Sequence, residues 1–247
     1  MNPADPPARA DYVAADAAQR RRSAALAGHA GDLTTATALL ADPDAGVRVA
    51  ALGALARCDA IDADVCSQAV ADPDPNVRRR LAEELGRQRP ADPGRRLRAL
   101  QVALHLLDDP DPMAAEAAAW SVGELAGPDP DHDDDDRPDD DRADDDRPND
   151  VTAPAGVTDA LSRTATDHPD QLVRESAVAA LGAVGDVAGL AAVLTATTDK
   201  PAVRRRAVIA LASFLGEPGV DEALQRATAD RDWQVRQAAD MLLDTSD

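Results

Sequence analysis

Apolar residues recur four apart in short stretches of this chain, each entered through a turn rich in Asp and Pro. The clearest stretch is Asp72–Gly86, DPDPNVRRRLAEELG. Val77, Leu81 and Leu85 are spaced i, i+4, i+8, which puts them on one face of a helix. Asp74 suits the N-cap, where its carboxylate accepts from free backbone N–H groups of the first turn. Pro75 falls at the first helical position, where its missing N–H costs nothing. Gly86, after the last apolar residue, reads as the helix stop. Registering on Val77 finds further copies. Val47, Val173, Val203 and Val235 are each followed by arginine, then by alanine four positions on and leucine eight positions on (Ala51 and Leu55, Ala177 and Leu181, Ala207 and Leu211, Ala239 and Leu243). Weaker copies start at Ala114 and near Gln19. The starts at 19, 47, 77, 114, 173, 203 and 235 give intervals of 28, 30, 37, 59, 30 and 32. A period near 30 marks stacked repeats. The 37-residue interval is assigned to a lengthened connection over Gln88–Gly94.

A second apolar segment lies between copies, at Asp32–Leu40, Leu97–Leu107, Val187–Leu194 and Val220–Ala227. Each unit is therefore a helical hairpin that buries its apolar face only by stacking on its neighbours. VRESAVAALG at Val173–Gly182, with partial matches at Val47–Gly53 and Val77–Gly86, resembles the HEAT-like repeat of the phycobilin-lyase type, close to D-P-x-x-V-R-x-x-A-x-x-A-L-G. The resemblance covers nearly all of the chain outside 1–12 and 128–150. It implies an all-α fold, a right-handed α-solenoid of about seven helical hairpins with the second helices on the inner surface. It also implies, as one functional reading, lyase-like handling of a tetrapyrrole. The residues that carry it are packing residues, so it speaks to architecture more than to function.

Composition narrows the picture. With 247 residues and 44% hydrophobic content the chain builds a sizeable core, and 2% aromatics makes that core Ala, Leu and Val in thin helical layers. There are 39 Asp against 7 Glu, and 25 Arg against one lysine, Lys200, for a net charge of −20. Abundant Arg and Ala fit a GC-rich genome. The Asp excess resembles proteins of halophilic archaea, whose acidic surfaces keep them hydrated and soluble in molar salt. There, exposed charges are screened beyond about 3 Å, so contacts act at short range. Pro128–Asp150 holds 13 Asp and 3 Arg, a net of −10, half of the chain's −20. It reads as a disordered insert. Removing its 23 residues from the 59-residue interval leaves 36, so it interrupts a loop. The expected organisation is a disordered segment over 1–12, repeats over 13–127, a disordered Asp-rich insert over 128–150, and the same solenoid over 151–247. The first residues, MNPADPPARAD, lack the apolar stretch of a signal peptide, and no apolar run reaches membrane-span length. A cytoplasmic protein without membrane contact is expected.

Candidate chemistry is sparse. Asp129, Asp131, Asp133 and Asp135 alternate as in a calcium loop, but Asp134 stands where glycine makes the turn and Asp140 where a bidentate Glu is needed. Cys58 and Cys66 read as buried small residues. His29, His105, His132 and His168 belong to no HExxH or His-Glu pattern. The iron ligands of deoxyhypusine hydroxylases, which use similar repeats, are therefore not carried over. His168 reads as a turn residue and His105 as partly buried. No catalytic residue, cofactor or metal is expected. Arg78–Arg98 holds eight arginines against Glu83, Glu84 and Asp92, a local net of +5. HEAT-like DNA glycosylases bind along such surfaces, but here the aromatics are scattered and the overall charge of −20 opposes phosphate. Arg48, Arg78, Arg174, Arg204 and Arg236 follow the repeat valine, while Asp44, Asp74, Asp111, Asp170 and Asp232 precede it by three. That regularity predicts an Asp–Arg ladder between repeats, broken where Ala115 replaces the arginine and Lys200 the aspartate. Left for partner recognition are Arg79, Arg80, Glu83 and Glu84 on one repeat, Glu175 and Arg205 on others, and Trp233, read as capping the stack in preference to anchoring a partner. The favoured function is a non-catalytic protein-interaction scaffold, by analogy in a regulatory or signalling complex, monomeric, with a protein partner rather than nucleic acid. The alternatives are a phycobilin-lyase-like enzyme or enzyme subunit and a HEAT-like nucleic-acid-binding protein.

Overall fold

The computed structural model describes residues 9–128 and 154–244. Helix α1 (Arg9–Ala30) is followed by six hairpins. These are α2 (Leu33–Ala38) with α3 (Ala45–Arg57), α4 (Ala63–Val70) with α5 (Pro75–Gln88), and α6 (Pro93–Leu106) with α7 (Pro112–Ala126). After the insert come α8 (Val157–Asp167) with α9 (Gln171–Val184), α10 (Leu190–Ala196) with α11 (Pro201–Ala210), and α12 (Val220–Ala227) with α13 (Trp233–Asp244). Among the described residues this makes six hairpins plus one helix, where about seven hairpins are expected from the repeat count. The odd helix, α1, packs on α3 as a second helix would and caps one end of the stack. It starts at Arg9, within the segment read as disordered. Residues 1–8 and the Asp-rich stretch 129–150, with His132 and the calcium-like alternation, lie outside the described residues.

The turn chemistry sets the helix starts. Asp44, Asp62 and Asp92 each accept from the backbone N–H three residues on, and Asp74 and Asp170 from the N–H two residues on. Proline opens α5, α6, α7 and α11, where it removes no helical hydrogen bond. The 37-residue interval has a different origin from the one expected. The connection from α5 to α6 is only Arg89–Asp92. The added length is in α6, with 14 residues, where α4 before it has 8.

Gly86 is also not a helix stop. It is buried inside α5, which runs on to Gln88 and is closed by Arg89 in the left-handed region at φ 36°. Its role is close approach. Gly28, Gly86, Gly123 and Gly182 all stand nine residues after their repeat starts at 19, 77, 114 and 173. A Cβ there would come within 2.7 Å of Ala54 Cα, 3.1 Å of Ser121 Cα, 2.9 Å of Ala180 Cα and 2.7 Å of Ala210 Cβ, respectively. The facing residues at Gly28, Gly123 and Gly182 are alanines, and at Gly86 the Trp120 ring edge comes closest, at 2.6 Å. The second helices α1, α3, α5, α7, α9, α11 and α13 therefore form one continuous row. The junctions lacking this glycine, α3 to α5 and α11 to α13, pack less extensively. First helices touch their successors sparsely, so the stack curves with the second row inside. Replacing Gly182 with alanine forces a methyl into backbone and side chain of α11. We expect a loss of about 1–3 kcal/mol in urea unfolding, the range for overpacking a tight interface.

The Asp–Arg ladder exists, with different aspartates from those expected. Those three residues before the valine are the N-caps. The rungs use the first Asp of each turn. Arg20 Nε donates to Asp42 Oδ2 at 2.6 Å, Arg48 to Asp72 at 2.7 Å, and Arg78 to Asp109 at 2.6 Å. Arg174 donates to Asp199 at 2.7 Å and Arg204 to Asp230 at 2.9 Å. Every one of these pairs is bidentate through Nη2 as well. Lys200 therefore breaks no rung, because Asp199 supplies it. In Asp42, Asp199 and Asp230 the arginine hydrogen bond holds the carboxyl below the usual range. At Asp72 and Asp109 burial works the other way, and the arginine together with a backbone N–H outweighs it. One rung is absent. Where Ala115 lacks the arginine, the next turn has His168 in place of the aspartate, and its Nδ1 accepts the Asp170 N–H at 3.1 Å. Both charges are missing together, so neither is buried alone.

That natural substitution makes the ladder testable. Arg78→Ala leaves the Asp109 carboxylate, only 3% exposed, without its counter-charge. We expect a loss of about 3 kcal/mol, as for other broken buried pairs. Adding Asp109→His, which copies the Ala115–His168 junction, should recover at least half of it in urea unfolding. A double variant as unstable as the single one would rule out this account.

Candidate functional site

The inner row carries a strip of side chains that packing does not use. Two residues after each repeat start stand Arg79 on α5, Glu116 on α7, Glu175 on α9 and Arg205 on α11. One turn further along the same helices stand Glu83, Trp120, Ala179 and Ile209, on the same face by the i, i+4 rule. Within α5, Arg79 bonds Glu83 at 2.9 Å, and Arg87 reaches both Glu83 and Glu84 at 3.2 Å. Across repeats, Glu175 lies 3.8 Å from Arg205 and 3.6 Å from Arg206. Glu116 sits between these groups, half-buried. Its backbone carbonyl accepts from Ser176 Oγ at 3.0 Å. Burial pushes the Glu116 carboxyl above its ordinary range; Arg79 opposes this, and Glu83 and Glu175 add to it.

Four of the expected recognition residues, Arg79, Glu83, Glu175 and Arg205, therefore fall on one strip. The others do not. Glu84 is buried at 8% exposure, because it serves as counter-charge to Arg80 at 2.7 Å and to Arg87. Arg80 lies over Gly53, where any Cβ would collide with its guanidinium, so it belongs to the α3–α5 packing. Trp233 opens α13 and is 61% exposed. It does not close the stack by burial. Trp120 and Ile209 are the strip residues that motif reasoning passed over. Trp120 is 37% exposed with its ring edge against Gly86, and Ile209 is 45% exposed. Counting six residues from the starts at 114 and 203 places both at the register position of Glu83.

Seven of the eight arginines of the basic run at Arg78–Arg98 are occupied internally. Arg78, Arg79, Arg80, Arg87 and Arg95 are in ion pairs. Arg89 and Arg96 donate to the Gly127 carbonyl at 2.8 and 3.1 Å, at the end of α7. There guanidinium charge offsets the helix dipole. Two smaller expectations need correction. Cys58 and Cys66 are half-buried rather than buried, and burial pushes the Cys66 thiol up to about 11, so it stays protonated at neutral pH. His105 is exposed rather than partly buried, and His168 is the expected turn residue.

A family model for HEAT repeats matches residues 63–134 and 158–244, most of the chain. The chain is a HEAT-repeat protein. Curated proteins give no match to this HEAT-repeat chain. Among solved structures, two engineered proteins superpose with TM-scores of 0.56 and 0.57 at 18% and 20% identity. Each alignment covers 86% of this chain, and 95% and 97% of the engineered chains. The complex of CpcE and CpcF of phycocyanin lyase from Nostoc sp. aligns over 84% of this chain and 74% of its own, at 21% identity and a TM-score of 0.49. At these identities the likeness concerns the fold. Among the described residues, no helix is long and apolar enough to cross a membrane.

Replacing Glu116 with glutamine removes a charge that its surroundings disfavour. The sign follows from a folded pKa raised above the unfolded value near 4.3. The charge costs stability in full above the folded pKa, and that cost disappears as pH falls below the unfolded one. Glu116→Gln should therefore raise Tm by about 2 °C at pH 7 and leave it unchanged near pH 3.5, as read by calorimetry.

Proposed function

We propose that this HEAT-repeat chain is a non-catalytic, cytoplasmic scaffold that binds a protein segment along its inner row of helices. The observation that carries the proposal is the strip itself. Trp120 and Ile209 are large apolar side chains left accessible on a face whose other members are Arg79, Glu83, Glu116, Glu175 and Arg205. Apolar anchors within a polar surround are the usual composition of a protein-binding patch, and tryptophan is enriched among residues whose loss costs most. An extended partner segment is favoured because the strip runs from one repeat to the next. Charges of both signs are mixed along it, which suits a partner of mixed charge better than a polyanion. The engagement of seven of the eight clustered arginines with carboxylates or carbonyls further supports protein over nucleic acid.

The test is capture from the native cytoplasm at native salt by the immobilised full chain, with binders identified by mass spectrometry. Trp120→Ala and Ile209→Asp should each weaken retention of the captured protein about tenfold or more, with unfolding midpoints held near wild type. Trp233→Ala, off the strip, should leave retention unchanged. Retention that survives both strip variants, or recovery of nucleic acid alone, would overturn the proposal.

A further inference from the structure

A second concave feature lies on the other side of the stack, between first helices α4 and α6. It is a cleft of about 1010 Å³. The two helices that flank it differ in length. Helix α6 has 14 residues against 8 in α4, so at 1.5 Å per residue it overhangs its neighbour by roughly 9 Å. Two helix faces confront each other across the gap. Cys66 and Val70 of α4 stand on one wall and Ala99 and Val102 of α6 on the other, with Ile61 and Leu85 also lining it. First helices pack only sparsely on their successors along the stack, and between these two the apolar stripes line an open cleft. Cys66 behaves as part of that apolar wall, because its thiol stays protonated at neutral pH.

The charges at the cleft are unequal in what they have to do. Asp59 is paired with Arg95 by two 2.7 Å hydrogen bonds. Asp62 is engaged in capping α4. Arg98 lines the same cleft and has neither an ion pair nor a hydrogen bond among the described residues. It is the one arginine of the Arg78–Arg98 run left in that state. The volume is at the upper end for small-molecule sites. The wall formed by α4 is only about 12 Å long, too short to seat more than two turns of a partner helix. We infer that this cleft is a binding site for an organic anion with an extended apolar body, such as a long-chain carboxylate, its charge held by Arg98 and its body lying between α4 and α6.

Decanoate and decanol share an apolar chain and differ in charge. Isothermal titration of the full chain with each, at one salt concentration and below their solubility limits, separates the contributions. The expected result is saturable binding of one decanoate per chain, with about tenfold preference over decanol, the effect of one charge-assisted contact. Arg98→Gln, at an exposed residue without partners, should abolish that preference while decanol binding is kept. Val102→Trp, which fills the cleft, should remove binding of both. Equal affinity for the two probes, no decanoate binding, or a preference that persists in Arg98→Gln would each overturn the inference. The Arg98 variant keeps the test decisive if Val102→Trp fails to fold.

Discussion

Beyond α1, each rung arginine is held from two sides, and the spacing of the repeats depends on this. Arg48 Nη1 donates to the Asp42 carbonyl in its own turn while Nε and Nη2 grip Asp72 in the next. Arg78 does the same with the Asp72 carbonyl and Asp109, and Arg204 with the Asp199 carbonyl and Asp230. The planar guanidinium offers its donors in a fixed fork, so it fixes distance and orientation together where an ammonium would fix neither. The acceptor carboxylate is itself oriented by its turn. Asp72 accepts the Asp74 N–H at 2.9 Å, and Asp109 accepts that of Asp111 at 2.9 Å. A rung therefore joins turn to turn, and the helices follow.

The glycine approaches act on the same row at the other end of the helices. Turns are tied by arginine near the helix N-termini, and the bodies close up where Gly28, Gly86, Gly123 and Gly182 admit close approach by the next repeat. Together these set the curvature. At the junction that receives the insert, the glycine contact of Gly123 with Ala180 is kept while the rung is gone. Helix-to-helix packing, with the Ser176 Oγ hydrogen bond to the Glu116 carbonyl, therefore carries that junction without a rung, and the turn before α9 needs no charged partner. An insertion between α7 and α8 strands no buried charge there, because Ala115 and His168 have already removed both members of the pair.

Much of this frame is legible in the sequence, because valine, arginine, alanine and leucine at fixed offsets encode a helix face and its period. What escapes is the assignment of residues that look alike locally. Asp72 and Asp74 differ by two positions in one turn, and sequence periodicity cannot say which carboxylate faces the neighbouring repeat. Nor does it reveal that Lys200 interrupts only a cap while Asp199 completes the rung. Gly86 near a helix end looks like a stop, since the reason for it, Ser121 on α7, is 35 residues away in the chain. The candidate strip was half legible for a similar reason. Arg79, Glu83, Glu175 and Arg205 stand out as charges outside the repeat pattern. Trp120 and Ile209 are apolar within apolar helices, and only the angular position of each on its helix shows that it faces outward.

The two surfaces that remain after the frame is accounted for lie on opposite rows, yet they share one element. Helix α5 carries Arg79 and Glu83 on the inner strip, and its last turn supplies Leu85 and Gln88 to the cleft. Gln88 also donates to the Ala56 carbonyl at 2.7 Å, closing the end of α3. The end of α5 is thus fixed to the preceding repeat on one side, and through Arg89 to the end of α7 on the other. A group entering the cleft meets a helix whose position is already determined by both neighbours. Binding there and binding on the strip are then independent to first order, as interiors packed this closely resist small displacements. The proposed anion on the outer row would therefore leave the proposed protein partner on the inner row undisturbed.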